Sequence, residues 1–148
     1  MTIQNFDINQ FTITLVGATV NHVITGLAKE TCFNLAFDEN AIKYDSDSNG
    51  RILMFNNYNR ASQVTITLHQ ASPSNDVLSR LYLQKDISGI NAVFGIQIKD
   101  NNGSTLITSS GAVVLSLNDV AFGDSVNNRV WTLLLSKTNA FIGGINNA

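Results

Sequence analysis

One stretch of this chain, QVTITLHQASPSNDVLSRL at residues 63–81, passes from a strand through a turn into a helix and decides the fold. In its first half Val64, Ile66 and Leu68 fall on one face of a strand, which is the period-2 pattern of a sheet with one dry side. The polar residues of the opposite face are Gln63, Thr65, Thr67 and His69. That second face must meet water or another polar surface.

The second half of the stretch predicts a short helix over residues 72–85. Either Ser72 or Ser74 can cap it, and Pro73 suits its first turn because the fixed φ and missing N–H cost nothing there. The residues at helical spacing that we expect to face the core are Val77, Leu78 and Leu81.

Other alternating or apolar runs, separated by Asn, Asp and Gly, predict further short strands. They fall at residues 11–15, 32–37, 41–44, 93–99, 104–108, 112–117 and 130–136. Seven or eight strands with one helix predict a mostly-β barrel or sandwich. We expect a single domain over residues 1–148, with a flexible tail at 143–148.

Residues 45–59 predict a hairpin arm. A polar cluster at 45–50 is followed by an apolar run at 52–55 and then by a second polar cluster at 56–59. The candidate contact residues of this arm are Ile52, Leu53, Met54, Phe55 and Tyr58. An apolar arm of this kind is an aggregation hazard unless it docks onto a partner.

The composition argues against several classes of protein. Of the 148 residues 44% are hydrophobic and 14% are charged, with a net charge of −2, whereas soluble domains average roughly 25% charged residues. The basic residues form no run, so the long-range field that draws proteins onto phosphate backbones is absent. Tight, sequence-independent binding of nucleic acid is therefore not expected.

Cys32 is the single cysteine, which excludes an internal disulfide and a cysteine-based zinc site. We expect Cys32 to be a small, buried hydrophobic residue. The N-terminal stretch lacks the pattern of a signal peptide, and no run reaches the roughly 18 apolar residues of a membrane span. The sequence therefore predicts a protein made and kept in the cytoplasm, or in something assembled there, without contact with a membrane.

Catalytic and metal-binding motifs are weak. Residues 45–50, DSDSNG, match the first half of a calcium loop, but Asn56 stands where the bidentate glutamate belongs, so a hairpin tip is favoured. Ser125 follows a Gly-Asp pair as in some esterases, but no histidine follows it. His22 and His69 are isolated and are expected to be ordinary polar-face residues. We therefore predict no enzyme, no cofactor and no metal.

Several motifs together resemble a structural-protein family of contractile-tailed phages, identified as tail tube subunits. The resemblance covers roughly residues 33–144. The segments that carry it are SNG at 48–50, NYNR at 57–60, ASQVTITL at 61–68, SPSNDVLS at 72–79, FGIQIKD at 94–100, DVAFG at 119–123, RVWT at 129–132 and FIGG at 141–144.

The resemblance implies a virion protein of the phage tail, assembled in the host cytoplasm. Subunits of this family join edge to edge into hexameric rings, which stack into a tube whose lumen conducts phage DNA. The partners it implies are further copies of the chain, the tail sheath protein, the tape measure protein, and the baseplate and tail terminator proteins. Joining of edges would also explain why so many strands lack charged edge protection.

The resemblance also suggests roles for residues. It places the arm against the adjacent ring and the helix on the outside of the tube. The candidates to line the lumen are Gln63, Thr65, Thr67 and His69, together with Gln97 and Lys99 on a strand expected to pair with the first. Hydroxyls and amides suit a passage for DNA, because each added Lys–phosphate contact strengthens binding and slows transit.

Two other classes stay open at this point. A β-sandwich binding module would recognise carbohydrate or protein through Tyr44, Tyr58 and the Asn-rich loops, as a stable monomer. An enzyme would need Ser125 or the acidic cluster at 45–50 to act without recognisable helpers.

Overall fold

Residues 7–18, 20–29 and 32–144 are described by a computed structural model, in which ten strands and one α-helix form. The strands are β1 Phe11–Val16, β2 Asn21–Val23, β3 Phe33–Phe37, β4 Ile42–Ser46, β5 Ile52–Asn56, β6 Ser62–Leu68, β7 Phe94–Asp100, β8 Leu106–Leu117, β9 Arg129–Leu135 and β10 Asn139–Phe141. The helix, α1, spans Ser74–Ser88, and a 3-10 turn at Ile8–Gln10 precedes β1.

Eight of the strands form one antiparallel sheet. Seven of them follow the order β2-β1-β7-β8-β9-β6-β3, and β10 pairs with β8 outside this order. The long strand β8 joins two halves of this sheet. Its first part pairs with β7 on one side and β10 on the other, and its second part pairs with β9. The register shifts in both the β7–β8 and the β8–β9 ladders, and such irregularities bend strands.

The predicted mostly-β architecture with one helix is confirmed, with some differences. The sheet remains open, and ten strands form in the described part of the chain rather than seven or eight. The predicted strands at 104–108 and 112–117 are the two parts of β8, while β2 and β10 were not predicted. These two strands have three residues each, too few for a periodic pattern to show.

The predicted pairing of β6 with β7 is wrong. β6 pairs with β3 and β9, and β7 pairs with β1 and β8. Alternation within a strand says which face is buried but not which neighbour it meets, because pairing is decided by contacts far apart in sequence.

The core lies between one face of the main sheet and helix α1. Inward-facing residues of β1, β6, β7 and β9 meet there, and the fully buried ones include Ile13, Leu15, Val64, Ile66, Leu68, Phe94, Ile98, Trp131, Leu133 and Leu135. Helix α1 covers this side by burying Leu78 and Leu81, while Val77 packs against the core edge. Within the described residues no helix covers the opposite face of the sheet.

The SPSND segment at residues 72–76 ties the start of α1 to the sheet. Ser72 Oγ accepts a hydrogen bond from the Ser74 amide at 3.2 Å. Pro73 occupies the N-cap position and no side chain caps the helix there, so the predicted cap by Ser72 or Ser74 is wrong. Ser74 Oγ accepts from the Thr25 amide at 2.9 Å and lies 2.8 Å from His22 Nε2. His22 is thus a partner of the helix rather than an ordinary polar-face residue.

The helix itself runs from residue 74 to 88, somewhat later than the predicted 72–85. It ends at Gly89, whose φ of 75° lies in the left-handed region that favours glycine. No helix within the described ranges is both long and apolar enough to cross a membrane.

The predicted tail begins with an anchored residue. The Gly143 amide donates to Thr105 Oγ1 at 3.0 Å, so this part of the segment is held against the loop before β8. Residues 145–148 of the predicted tail lie outside the described residues.

Candidate assembly surfaces

The first candidate surface is the hairpin of β4 and β5, which we call the arm. Its strands pair with each other and form a separate two-stranded sheet. The arm therefore spans residues 42–56, and the strand predicted at 41–44 belongs to it rather than to the body. The signal that could have shown this is the alternation of Ile42 and Tyr44, which continues the strand pattern into the arm; Tyr44 pairs with Met54 and Ile42 with Asn56.

Every residue of both arm strands is exposed. The register gives the arm two faces. One, the apolar face, carries Ile42, Tyr44, Ile52 and Met54; the other, the mixed face, carries Lys43, Asp45, Leu53 and Phe55. Met54 is 68% exposed and Leu53 61% exposed, so both faces present apolar surface to water.

Tyr58, the remaining contact candidate, lies just beyond the arm and is 88% exposed. The predicted contact residues 52–55 and Tyr58 are therefore all exposed, with the half-buried Asn57 between them. Exposed apolar area of this kind marks interaction sites in soluble proteins.

The tip of the arm is a turn built by the acidic cluster. Asp47 Oδ1 accepts from the backbone amides of Asn49 and Arg51, each at 2.9 Å, and Gly50 has a φ of 82°. The carboxylate thus closes its own turn, as in the hairpin-tip interpretation. Asp45 also bonds the backbone, accepting from Ser46 at 2.9 Å.

The base of the arm is held by Glu39 and two asparagines. Asn59 Nδ2 donates to Glu39 Oε2 at 2.6 Å, Asn57 Nδ2 donates to the same oxygen at 3.3 Å, and Lys43 Nζ lies 3.3 Å from Oε1. These hydrogen bonds from Asn59 and Asn57, then that from Lys43 and its charge, lower the pKa of Glu39. The two amides are engaged in structure rather than free to bind a glycan.

This cluster predicts a pH response at the base of the arm. A lowered pKa in the folded state means that the interaction is present above the usual pKa of glutamate and is lost as the pH falls through the lowered value. We expect the side-chain amide NMR signals of Asn57 and Asn59 to shift together when the pH is lowered from about 7 to about 3.

Glu39→Gln is the matched control for this titration, since it keeps the shape and removes the charge. In this variant the side-chain amide signals of Asn57 and Asn59 should not shift over the pH range in which they shift in the wild-type protein. Wild-type signals that stay constant across the acidic range would contradict the role of Glu39.

The second candidate surface is the uncovered face of the main sheet. Neighbouring strands place polar residues in rows: Asn34, Thr65 and Thr132 form one row, and Thr14, Gln97 and Thr108 form another. Within the eight strands of this sheet the charged residues are Lys99, Asp100 and Arg129. The registers put Lys99 on the uncovered face, since it lies opposite Thr12, and put Asp100 and Arg129 on the other.

The structure keeps most of the predicted lumen candidates on this face. Gln63, Thr65 and Thr67 lie on the outer face of β6, and Gln97 and Lys99 lie on that of β7. Strands β8 and β9 lie between them. The sequence-based prediction did not include the hydroxyl residues of β1, β8 and β9 among the lumen candidates. The alternation of Thr12 and Thr14 with apolar residues could have indicated those of β1.

His69 is set apart from the other candidates. It follows the last residue of β6, and its Nδ1 accepts a hydrogen bond from the Ala71 amide at 3.1 Å. The ring therefore belongs to the turn before α1 rather than to the strand face.

The third candidate surface consists of the sheet edges. The order of the strands leaves β2 at one end and β3 at the other. Within the described residues β3 pairs only with β6, so its outer edge presents backbone donors and acceptors. Such edges are templates for pairing with another chain.

The catalytic candidates do not come together. Ser125 lies in the exposed loop between β8 and β9. In the described part of the chain His22 bonds Ser74 and His69 bonds the Ala71 amide, and no hydrogen bond links either ring to Ser125. Cys32 is buried, its Sγ donates to the Ala28 carbonyl at 2.7 Å, and desolvation raises the pKa of its thiol.

Comparison with known proteins shows what this chain is similar to. The chain is 27% identical over 140 residues to structural protein ORF10 of Pseudomonas phage KPP10, an alignment that covers 92% of this chain and 80% of the relative. No protein-family model matches the chain. The relative is a structural protein, in agreement with the prediction that this chain is not an enzyme.

Two solved structures share the fold. The tube-terminating cap of the anti-feeding prophage superposes with a TM-score of 0.58 at 15% identity, covering 95% of this chain and 94% of the cap protein. The sheath/tube terminator of the extracellular contractile injection system PVC gives a TM-score of 0.53 at 12% identity, covering 96% and 100%. The resemblance to phage structural proteins, first seen in the sequence, is therefore confirmed by a phage relative, and the fold is shared with two proteins of contractile injection systems.

Proposed function

We propose that this chain is the major tail tube subunit of a contractile-tailed phage. Its copies join edge to edge into hexameric rings, and the rings stack into a tube that conducts phage DNA during ejection. The protein acts in the virion after assembly in the host cytoplasm. Its partners are its own copies, the sheath, the tape measure protein, and the baseplate and terminator proteins, with DNA only in passage.

The arm is the observation that carries this proposal. Both of its faces expose apolar side chains, and neither strand pairs with the body of the subunit. An isolated two-stranded hairpin is marginally stable in water, so a partner must cover it in the working state. A subunit that stacks repeatedly supplies such a partner in every ring.

The polar side chains of the uncovered sheet face support the proposal that it lines a lumen in which DNA binds weakly. Its rows of hydroxyl and amide side chains are neutral. Lys99 on β7 adds a cationic contact, and so does Lys137, which lines the same hollow as Thr14 and Gln97. Salt-dependent affinity grows with the number of phosphates neutralised. These two cations per subunit neutralise few phosphates, so DNA remains free to slide.

A tube terminator is the second candidate function. It is favoured by the two shared folds, since one solved protein is a tube-terminating cap and the other a sheath/tube terminator. A terminator caps an existing tube, whereas a tube subunit adds to its own kind without limit. The two candidates thus differ in what the purified protein forms by itself.

Negative-stain electron microscopy of the concentrated protein, beside its elution volume on a sizing column, tests the proposal. We expect hollow tubes of variable length, because the arm of each ring remains available to the next. Single rings that never elongate would favour the terminator. A protein that stays monomeric at its highest soluble concentration and binds a glycan would contradict both and favour the binding module.

A further inference from the structure

A groove lies between the C-terminal half of α1 and the strand β8, and we call it the helix groove. It has a volume of about 370 Å³, near the low end of the roughly 300–1,000 Å³ of small-molecule pockets. Its apolar wall is formed by Leu81, Tyr82, Ala92, Val114 and Leu115. Val113 also borders the groove, but its pairing with Leu134 puts its side chain on the uncovered face of the sheet. Tyr82 and Leu115 remain substantially exposed, so the wall presents apolar area that the subunit does not cover.

The rim of the helix groove carries one charge of each sign. Lys85 and Asp86 both line it, and neither forms an ion pair within the described residues. The mixed face of the arm has the same composition, with Lys43 and Asp45 beside Leu53 and Phe55. The apolar face of the arm has no charge and does not match.

We infer that the mixed face of the arm docks into the helix groove of a second copy. Leu53 and Phe55 cover the apolar wall, Lys43 meets Asp86, and Asp45 meets Lys85. Opposite charges placed beside an apolar contact set its register and exclude the reversed orientation. The inference rests on the proposed self-assembly and adds the surface that receives the arm.

Lys43 is free to make this exchange. Its pair with Glu39 is exposed, and exposed pairs contribute only about 0.2–1 kcal/mol. Glu39 keeps the amides of Asn57 and Asn59 as partners when Lys43 leaves. The arm base therefore stays formed in the docked state.

The contact joins two different patches, so it is heterologous and repeats from copy to copy. Arm and groove share no strand pairing within one subunit, which leaves both available. Heterologous contacts close into rings or propagate as filaments. Arm docking of this kind thus provides a link that repeats from copy to copy, around a ring or along a tube.

Disulfide trapping between two differently tagged proteins tests the inference. One carries Leu53→Cys on the arm and the other Leu115→Cys in the groove, and oxidation is followed by mass spectrometry of the linked dimer. Because a disulfide needs Cβ atoms about 3.5–4.5 Å apart, we expect roughly tenfold more linked heterodimer than from Met54→Cys with Leu115→Cys. Met54 is as exposed as Leu53 but lies on the apolar face.

Native Cys32 is buried with a raised pKa, so it does not compete in this reaction. Equal yields from the two arm positions would overturn the inference. The pair of Leu53→Cys with Ile87→Cys measures the background, because Ile87 is exposed on α1 but lies outside the groove. If Leu53→Cys with Leu115→Cys gives only this background yield, the inference is also overturned.

A charge swap gives an independent measurement. Exchanging the rim charges by Lys85→Asp with Asp86→Lys keeps the net charge, and it should raise the concentration for half-assembly roughly tenfold through like-charge contacts. Adding Lys43→Asp with Asp45→Lys should restore assembly to within about twofold. If the quadruple variant needs as high a concentration for half-assembly as the groove variant, the inference is overturned. The proposed function still stands in that case if the wild-type protein forms tubes.

Discussion

Replacing Leu53 and Phe55 by serine should abolish tube assembly while leaving the folded subunit intact. Both side chains are exposed and neither belongs to the core, so the free energy of unfolding of the monomer should change by less than about 0.5 kcal/mol. Burial of a leucine or phenylalanine contributes roughly 1.5–3 kcal/mol each. Loss of both from every contact should weaken association by more than about a hundredfold.

Sedimentation velocity over a concentration series measures the loss of assembly, and urea unfolding of the monomer measures the fold. Leu53→Met with Phe55→Tyr is the matched control, because it keeps the apolar area at the same positions and should assemble. Polymerisation of the serine variant at the wild-type concentration would show that the arm is not the contact. An unfolded serine variant would show that the arm supports the body.

Trp131→Ala should have the largest effect on stability in the chain. The indole is only 2% exposed, its ring lies 6.1 Å from that of Tyr82 in an edge-to-face contact, and its Nε1 donates to Asn75 Oδ1 at 3.0 Å. Truncation of a buried tryptophan costs about 3–5 kcal/mol. That is a large part of the roughly 5–15 kcal/mol by which domains are stable.

Trp131→Phe separates the two contributions of this side chain in urea unfolding. It retains an aromatic ring beside Tyr82 but leaves the half-buried Asn75 oxygen without its donor, so we expect a smaller loss of about 1–3 kcal/mol. An alanine variant within about 1 kcal/mol of wild type would contradict the central position of Trp131 in the core.

The predictions that succeeded from sequence rest on local patterns. The alternation of Val64, Ile66 and Leu68 placed the buried face of β6, and the SPSND segment placed the start of the helix to within two residues. The apolar run at 52–55 stood out because no polar residue interrupts it. These features depend on neighbours within one strand or one turn, which a single sequence displays.

The predictions that failed depend on contacts between distant residues. β6 was expected beside β7 but lies beside β9, and His22 was expected on a polar face but bonds Ser74, 52 residues away. The short strands β2 and β10 exist because β1 and β8 offer them a ladder. Their own residues carry no period long enough to predict them.

The sequence by itself determined which residues face the core, where the helix begins and that an apolar arm is left over, because side-chain periodicity and turn chemistry are local properties. Only the tertiary structure decided that β8 joins two halves of one bent sheet, that hydroxyls from separate strands form rows on its uncovered face, and that a charged groove lies beside α1. Strand order and register are set by packing across the whole chain, and packing chooses among many pairings that the same local pattern permits.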